Sequence, residues 1–172
     1  ISNGLDNIIE YINKFEFSDE NIEDLRKTGS FTEEFLDYLK DLKFTGDIYA
    51  VPDGTPVFPN EPVITIKAPI IEAQIIETAV LAHFNHGSLV STATKRITNE
   101  AKGIPVMEFG ARRARGVDSA IEASKYAYIA GCCGTSNVYA AKKYDIPAMG
   151  TMAHSMIQAF DSEYEAFLAY AK

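Results

Sequence analysis

Cysteine is scarce in this chain: among 172 residues there are two, and Cys132 and Cys133 are adjacent. That usage suits a reduced cytosolic protein and argues against a disulfide framework. Long apolar runs are missing as well. The most apolar stretch, Ile70 to Leu89, is interrupted by Glu72, Gln74, Glu77, His83, Asn85 and His86, so neither a membrane span nor a signal peptide is read from it. Basic residues are outnumbered, 16 against 24 acidic, for a net charge of −8. A nucleic-acid partner is not expected of such a chain.

What is present is the composition of a soluble globular domain, 47% hydrophobic and 23% charged. Its charge is unevenly spread. Residues 1–42 hold 11 acidic and 4 basic side chains, whereas residues 95–115 hold six basic (Lys95, Arg96, Lys102, Arg112, Arg113, Arg115) and two acidic (Glu100, Glu108). A basic island in an acidic chain fits a small anionic ligand held locally; the plainer alternative is a solvated helix end followed by a loop of arginines.

The pattern along the chain changes twice. Leu5, Ile8, Ile9 and Ile12 recur at helical spacing. Ser18 and Thr32 stand where N-caps belong for two further helices, with Gly29 ending the first of these two and Gly46 closing the unit. The period then becomes two: Ile48–Val51 and Val63–Lys67 read as strands, and Pro56–Pro59 as a short edge piece. From Ile70 to Lys102 the pattern is helical, with a division expected at Asn85-His86-Gly87 because glycine weakens a helix by about 1 kcal/mol. Strand–loop–helix units follow, with strands at 105–109, 126–130 and 147–150 and helices at 119–125, at 136–144 and after His154. The predicted organisation is a small N-terminal α+β domain (1–69), connecting helices (70–103) and the first units of an α/β barrel (104–172). Three units cannot close an eight-fold barrel. With a start at Ile1 and a stop at Lys172 inside a helical pattern, a fragment is expected.

In α/β proteins, loops at the carboxyl ends of strands carry ligands. Two such junctions bear unusual chemistry here. In Phe109-Gly110-Ala111-Arg112-Arg113-Ala114-Arg115-Gly116, guanidinium forks match carboxylates and phosphates in two-point geometry. Taken as extended, the segment would point Arg112 and Arg113 to opposite sides, and Phe109 stands ready to stack on a planar ring. In Gly150-Thr151-Met152-Ala153-His154-Ser155, the imidazole can act as acid or base, as a nucleophile toward phosphorus, or as a structural donor. A third junction, Gly134-Thr135-Ser136-Asn137, offers either an amide-lined anion site or ordinary capping by Thr135 or Ser136. His83 and His86 have metal-ligand spacing, but no third ligand stands nearby, and no metal site is expected.

On Val51–Pro62, Glu72–Thr78, Asn85-His86, Phe109–Ala114, Ser136-Asn137-Val138 and Gly150–Ser155, taken together and in order, the chain resembles the nicotinate phosphoribosyltransferases. The resemblance implies an α/β fold of the type II phosphoribosyltransferase kind, a small α+β domain beside an incomplete α/β barrel. It also implies a reaction: nicotinate and phosphoribosyl pyrophosphate give nicotinate mononucleotide and pyrophosphate, coupled to ATP hydrolysis, in NAD salvage. By the resemblance, His154 is transiently phosphorylated, Thr151 lies at the nicotinate site, and Arg112 and Arg113 lie in the substrate pocket with Phe109 and Ser136. Mg²⁺ and ATP are the expected cofactor and co-substrate, with no identifiable ligating motif in these residues. A cytoplasmic homodimer is expected. The family's N-terminal aromatic partner and its later phosphate-binding loop are not found here, so this chain alone is expected to be inactive. Two alternatives stay open: a sister enzyme for nicotinamide or quinolinate, and a non-catalytic binding or assembly module of the same fold.

Overall fold

The computed structural model describes residues 1–171. Three short amphipathic helices come first: α1 (Leu5–Asn13), α2 (Asp19–Lys27) and α3 (Glu33–Lys40). Ser18 and Thr32 cap α2 and α3, accepting from the Asn21 and Phe35 amides, as their chemistry predicts. Each helix turns its apolar stripe inward. Ile8, Phe15, Ile22, Leu36, Leu39 and Leu42 form one buried cluster with Ile76 and Val80 of the long helix α4 (Ile70–Glu100).

Between α3 and α4 lies an antiparallel pair, β1 (Asp47–Ala50) and β2 (Ile64–Lys67), in register Asp47↔Lys67 to Ala50↔Ile64. Ile64 and Ile66 pack on the helical core. The Pro56–Pro59 edge piece does not form a strand; it lies in the loop between β1 and β2. Glu72, 4% exposed, anchors the entry to this pair. Its carboxylate accepts from the Thr45 amide (2.7 Å) and the Thr45 hydroxyl (2.9 Å), so a buried charge has the partners it requires.

The division expected at Asn85-His86-Gly87 is absent, and one helix of 31 residues replaces the expected pair of connecting helices. Gly87 serves close approach instead. Residues 1–4 cross α4 there, and a Cβ on Gly87 would sit 2.6 Å from the Asn3 carbonyl oxygen. Gly4, at φ +109°, has its own missing Cβ aimed at the His83 carbonyl, 2.5 Å away. Polar bonds fasten the crossing: the Asn3 amide donates to Ser88 Oγ (3.2 Å) and Asn3 Nδ2 to Ser91 Oγ (2.7 Å). The Ser2 amide and carbonyl pair with Thr55 and Gly54 at 2.8 Å each.

The remainder is built on short parallel pairing. β3 (Met107–Glu108) pairs with β4 (Gly134–Thr135), and Thr135 bridges in parallel to Ala148. Helix α5 (Val117–Ile129) connects β3 to β4 and packs on α4. Helix α6 (Val138–Tyr144) follows β4, and α7 (His154–Gln158) and α8 (Glu163–Tyr170) complete the described chain. The strand expected at 126–130 is the last turn of α5. Tyr126, Ala127 and Ala130 are buried while Tyr128 and Ile129 are exposed, a helical spacing that a short apolar run does not reveal.

The crossing yields a test. Ala at position 87 should raise helix propensity by about 1 kcal/mol. Forcing a methyl against a backbone oxygen costs about 3 kcal/mol. Gly87→Ala should therefore lower stability overall, read as a reduced urea midpoint, while Gly150→Ala, with open space around its Cβ and no positive φ, should leave the midpoint nearly unchanged.

Candidate active site

The three parallel segments end side by side, because Glu108 pairs with Thr135 and Thr135 with Ala148. The loops leaving those ends carry all six candidate catalytic and substrate-binding residues. Phe109 and the arginines follow Glu108, Ser136 follows Thr135, and Thr151 and His154 follow the 147–149 segment. All six candidates (Phe109, Arg112, Arg113, Ser136, Thr151, His154) are solvent-exposed.

The arginine segment is not extended. Ala111–Arg113 form a single 3-10 turn whose first bond runs from the Arg113 amide to the Gly110 carbonyl (2.8 Å). Arg112 and Arg113 therefore diverge by the turn's roughly 120° rather than pointing to opposite sides. Arg113 and Arg115 line a cavity of about 420 Å³ whose other walls include His86 and Thr94 of α4 and Ser119 of α5. Among the described residues none of Arg112, Arg113 and Arg115 makes an ion pair. Three guanidiniums without ion-pair partners among the described residues give this short loop a concentrated positive charge, the kind of surface that suits anions.

Beneath the loop lies a hydrogen-bond network centred on Glu108, a residue whose sequence context shows only a strand position and a charge. Glu108 Oε2 accepts from Thr135 Oγ1 (2.6 Å) and Ser124 Oγ (3.1 Å), and Oε1 accepts from the Gly110 amide. Thr135 and Ser124 are fully buried. Thr135 Oγ1 also accepts from the Asn137 amide (3.1 Å). The signal available in sequence was a carboxylate on the last residue of a strand entering a glycine turn.

The third junction resolves as capping, by a residue other than those expected. Asn137 is the N-cap of α6, its Oδ1 accepting from the Ala140 amide (3.1 Å). The Ser136 amide is spent on the Glu108 carbonyl (3.0 Å), and its side chain is exposed. His154 opens α7 and has no hydrogen-bond partner among the described residues.

The histidine pair of α4 is divided between two surroundings. His83 packs near Tyr11, rings 6.3 Å apart. His86 stands edge-on to Tyr126, with Nε2 3.4 Å from Ser119 Oγ. Among the described residues no group of three or more His, Cys, Asp or Glu side chains is placed to hold a metal. Cys132 is buried and its thiol titrates above the usual range, from burial first and then from the Glu108 carboxylate and Cys133. A larger groove of about 1510 Å³ follows α1, α2, α5 and α6, and none of the six candidates lines it.

Comparison with known proteins accounts for this arrangement. The family described as nicotinate phosphoribosyltransferase (NAPRTase) N-terminal domain matches residues 1–85, and the nicotinate phosphoribosyltransferase (NAPRTase) family matches residues 104–170. The chain is 47% identical over 98% of its length to Mycobacterium tuberculosis nicotinate phosphoribosyltransferase pncB2, covering 36% of that protein. It belongs to the nicotinate phosphoribosyltransferase family. The Bacillus subtilis nicotinate phosphoribosyltransferase is 41% identical over 98% of this chain and 34% of its own length. The crystal structure of human nicotinic acid phosphoribosyltransferase superposes with a TM-score of 0.85 at 29% identity, over 93% of this chain and 33% of that one. The chain thus spans about a third of the length of the relatives it matches, and its fold is part of the family's α/β architecture.

The cap assignment is open to a direct check. Asn137→Ala should lower stability by about 1 kcal/mol in a thermal or urea melt. Ser136→Ala should leave the melt unchanged, because Ser136 holds its place through its backbone amide.

Proposed function

We propose that the protein carrying this chain transfers the phosphoribosyl group of phosphoribosyl pyrophosphate to nicotinate, giving nicotinate mononucleotide and pyrophosphate for NAD salvage. The observation that supports this most directly is the loop of three unpaired arginines at the carboxyl end of β3, in a chain of this family. Both substrates are anions, and neither has a competing carboxylate partner on that loop to displace. Phe109, exposed beside the arginines, is the face on which the pyridine ring stacks. Arg112 and Arg113 divide the ring carboxylate and the phosphates between them, and Ser136 and Thr151 add neutral donors.

The transfer itself asks little of a base. The pyridine nitrogen is already nucleophilic, so the pocket's contribution is to hold it in line with the anomeric carbon. That carbon passes through an oxocarbenium-like state as pyrophosphate leaves. Mg²⁺ would accompany the substrate phosphates and neutralise the leaving pyrophosphate. ATP coupling falls to His154. Its imidazole attacks the γ-phosphorus, ADP leaves, and water later releases phosphate from the phosphohistidine. An imidazole free of hydrogen-bond partners at the surface has the access this step needs. While phosphorylated it adds negative charge beside the loops and reorganises them around the sugar substrate.

The reading includes a cytoplasmic homodimer, with a second ring-stacking face opposite Phe109 and the phosphate-binding loop supplied by segments outside these residues and by the partner subunit. No helix among the described residues is long and apolar enough to cross a membrane. Product formation by this 172-residue chain alone is accordingly not expected.

A substrate panel on the complete gene product tests the assignment. Nicotinate, nicotinamide and quinolinate are each offered with phosphoribosyl pyrophosphate and Mg²⁺, with and without ATP, and mononucleotides are read by mass. Turnover of nicotinate alone, stimulated by ATP, is expected. Turnover of another pyridine would move the chain to a sister activity, and no turnover at all would favour a binding module.

Single substitutions separate the roles. His154→Ala should abolish ATP stimulation while leaving slow ATP-independent transfer; retained coupling would remove the phosphohistidine. Arg112→Ala and Arg113→Ala should each raise a substrate KM by about tenfold or more, the scale of one lost charge-assisted hydrogen bond.

A further inference from the structure

We propose that Glu108 is a positioning residue for the proposed reaction: its carboxylate holds the start of the arginine loop in place while drawing none of its bonds from the arginines. The inference rests on the phosphoribosyl-transfer reading of that loop.

Three observations converge on it. First, Glu108 ends β3 and its side chain reaches three different elements: Gly110 at the head of the loop, Ser124 on α5 and Thr135 on β4. Second, every donor it accepts from is neutral, a backbone amide and two hydroxyls. A carboxylate four residues or fewer from Arg112 is the obvious ion-pair partner for that guanidinium, and such a pair would neutralise the anion site. Saturating the carboxylate from below leaves Arg112, Arg113 and Arg115 unpaired. Third, the connection passes directly to the arginines, because the Gly110 carbonyl accepts from the Arg113 amide (2.8 Å) and sets the 3-10 turn. A rigid second layer of this kind is what preorganises a substrate clamp.

The chemistry of the donors makes the idea separable from a direct role for the charge. Ser124 and Thr135 carry hydroxyls, which can turn and accept; the Gly110 amide can only donate. A glutamine at 108 can keep its amide oxygen on Gly110 and present its NH₂ to the two hydroxyls. An alanine can do neither.

The test uses the complete gene product with Glu108→Ala, Glu108→Gln and Gly110→Pro. Gly110 has φ −86°, just outside proline's usual range of about −65 ± 15°, and proline there removes the amide that Glu108 accepts from, so this last variant breaks the contact from the loop side with residue 108 unchanged. Two readouts are taken: amide hydrogen exchange across 109–116 against α4, and the KM and kcat for nicotinate and phosphoribosyl pyrophosphate.

Glu108→Ala should speed exchange in 109–116 and raise the KM of at least one anionic substrate, each by about tenfold, the scale of one lost hydrogen bond to a charged group. Exchange in α4 and kcat should move far less. Gly110→Pro should reproduce the KM rise, and it decides the matter if Glu108→Ala does not fold. Glu108→Gln should restore most of both. Unchanged KM values in Glu108→Ala and Gly110→Pro would overturn the proposal. So would a Glu108→Gln as impaired as Glu108→Ala, since the charge itself would then be acting. If the unmodified protein turns over none of the three pyridines, the phosphoribosyl reading falls, and loop exchange unchanged by Glu108→Ala would overturn the positioning role by itself.

Discussion

The close crossing of residues 1–4 over α4 is the constraint on which the rest depends. Backbone meets backbone there, which is possible only because Gly4 and Gly87 carry no side chain. The contact orients α1, and α1 with α2 and α3 buries the apolar stripe on the first half of α4. On the same stretch Ser91, which receives Asn3, also donates to the Tyr126 carbonyl of α5 at 3.2 Å. Asp6 and Asn7 of α1 reach Lys125 and Glu122 of α5 at 2.9 and 2.6 Å. The crossing therefore registers the helical N-terminal unit against α5, the helix that follows the arginine loop. The bonds span 85 to 88 residues of sequence, so residues 1–4 cannot dock until α4 exists, and a loop of that length must close before they are ordered.

Around the candidate site, rigidity and exposure are divided between layers. Glu108, Ser124 and Thr135 are interlocked below the loops, and Thr135 passes the network on to Asn137. The residues assigned to ligands stand above them and are exposed. Burial below fixes backbone positions; exposure above leaves side-chain donors free. This arrangement suits binding of charged substrates, whose recognition requires unpaired donors at defined positions rather than a deep apolar pocket.

Much of this was legible in the sequence where a residue's chemistry acts locally. Ser18 and Thr32 bond their own helix amides, so the caps are visible one turn away. The two β-period segments pair as their alternation suggests, and the six candidate residues do lie on the loops that follow the parallel segments. What stayed hidden depends on distant neighbours. Gly87 reads as a weak point until Asn3 is seen lying on it. Residues 126–130 read as a strand because five residues do not distinguish one buried helical face from an alternating strand. The 3-10 turn at Ala111–Arg113 has no strong local signature, so the arginines were assigned an extended geometry. Glu108 counted as surface charge because its partners lie 16 and 27 residues away. The roles of the six candidates rest on resemblance and on placement at one edge of the sheet.

The bridge between Thr135 and Ala148 has one more implication. The Thr135 amide donates to the Pro147 carbonyl and the Met149 amide to the Thr135 carbonyl. In parallel geometry this turns the N–H and C=O of Ala148 itself outward, away from Thr135. Those groups form an open seam to which another extended segment can add, continuing the sheet by one position. A seam of this sort does not discriminate well between a segment of its own protein and one from a neighbour. Met149, Phe160, Tyr164, Phe167 and Leu168 are exposed in the same portion of the chain, so a segment that adds at that position would also have apolar surface to cover.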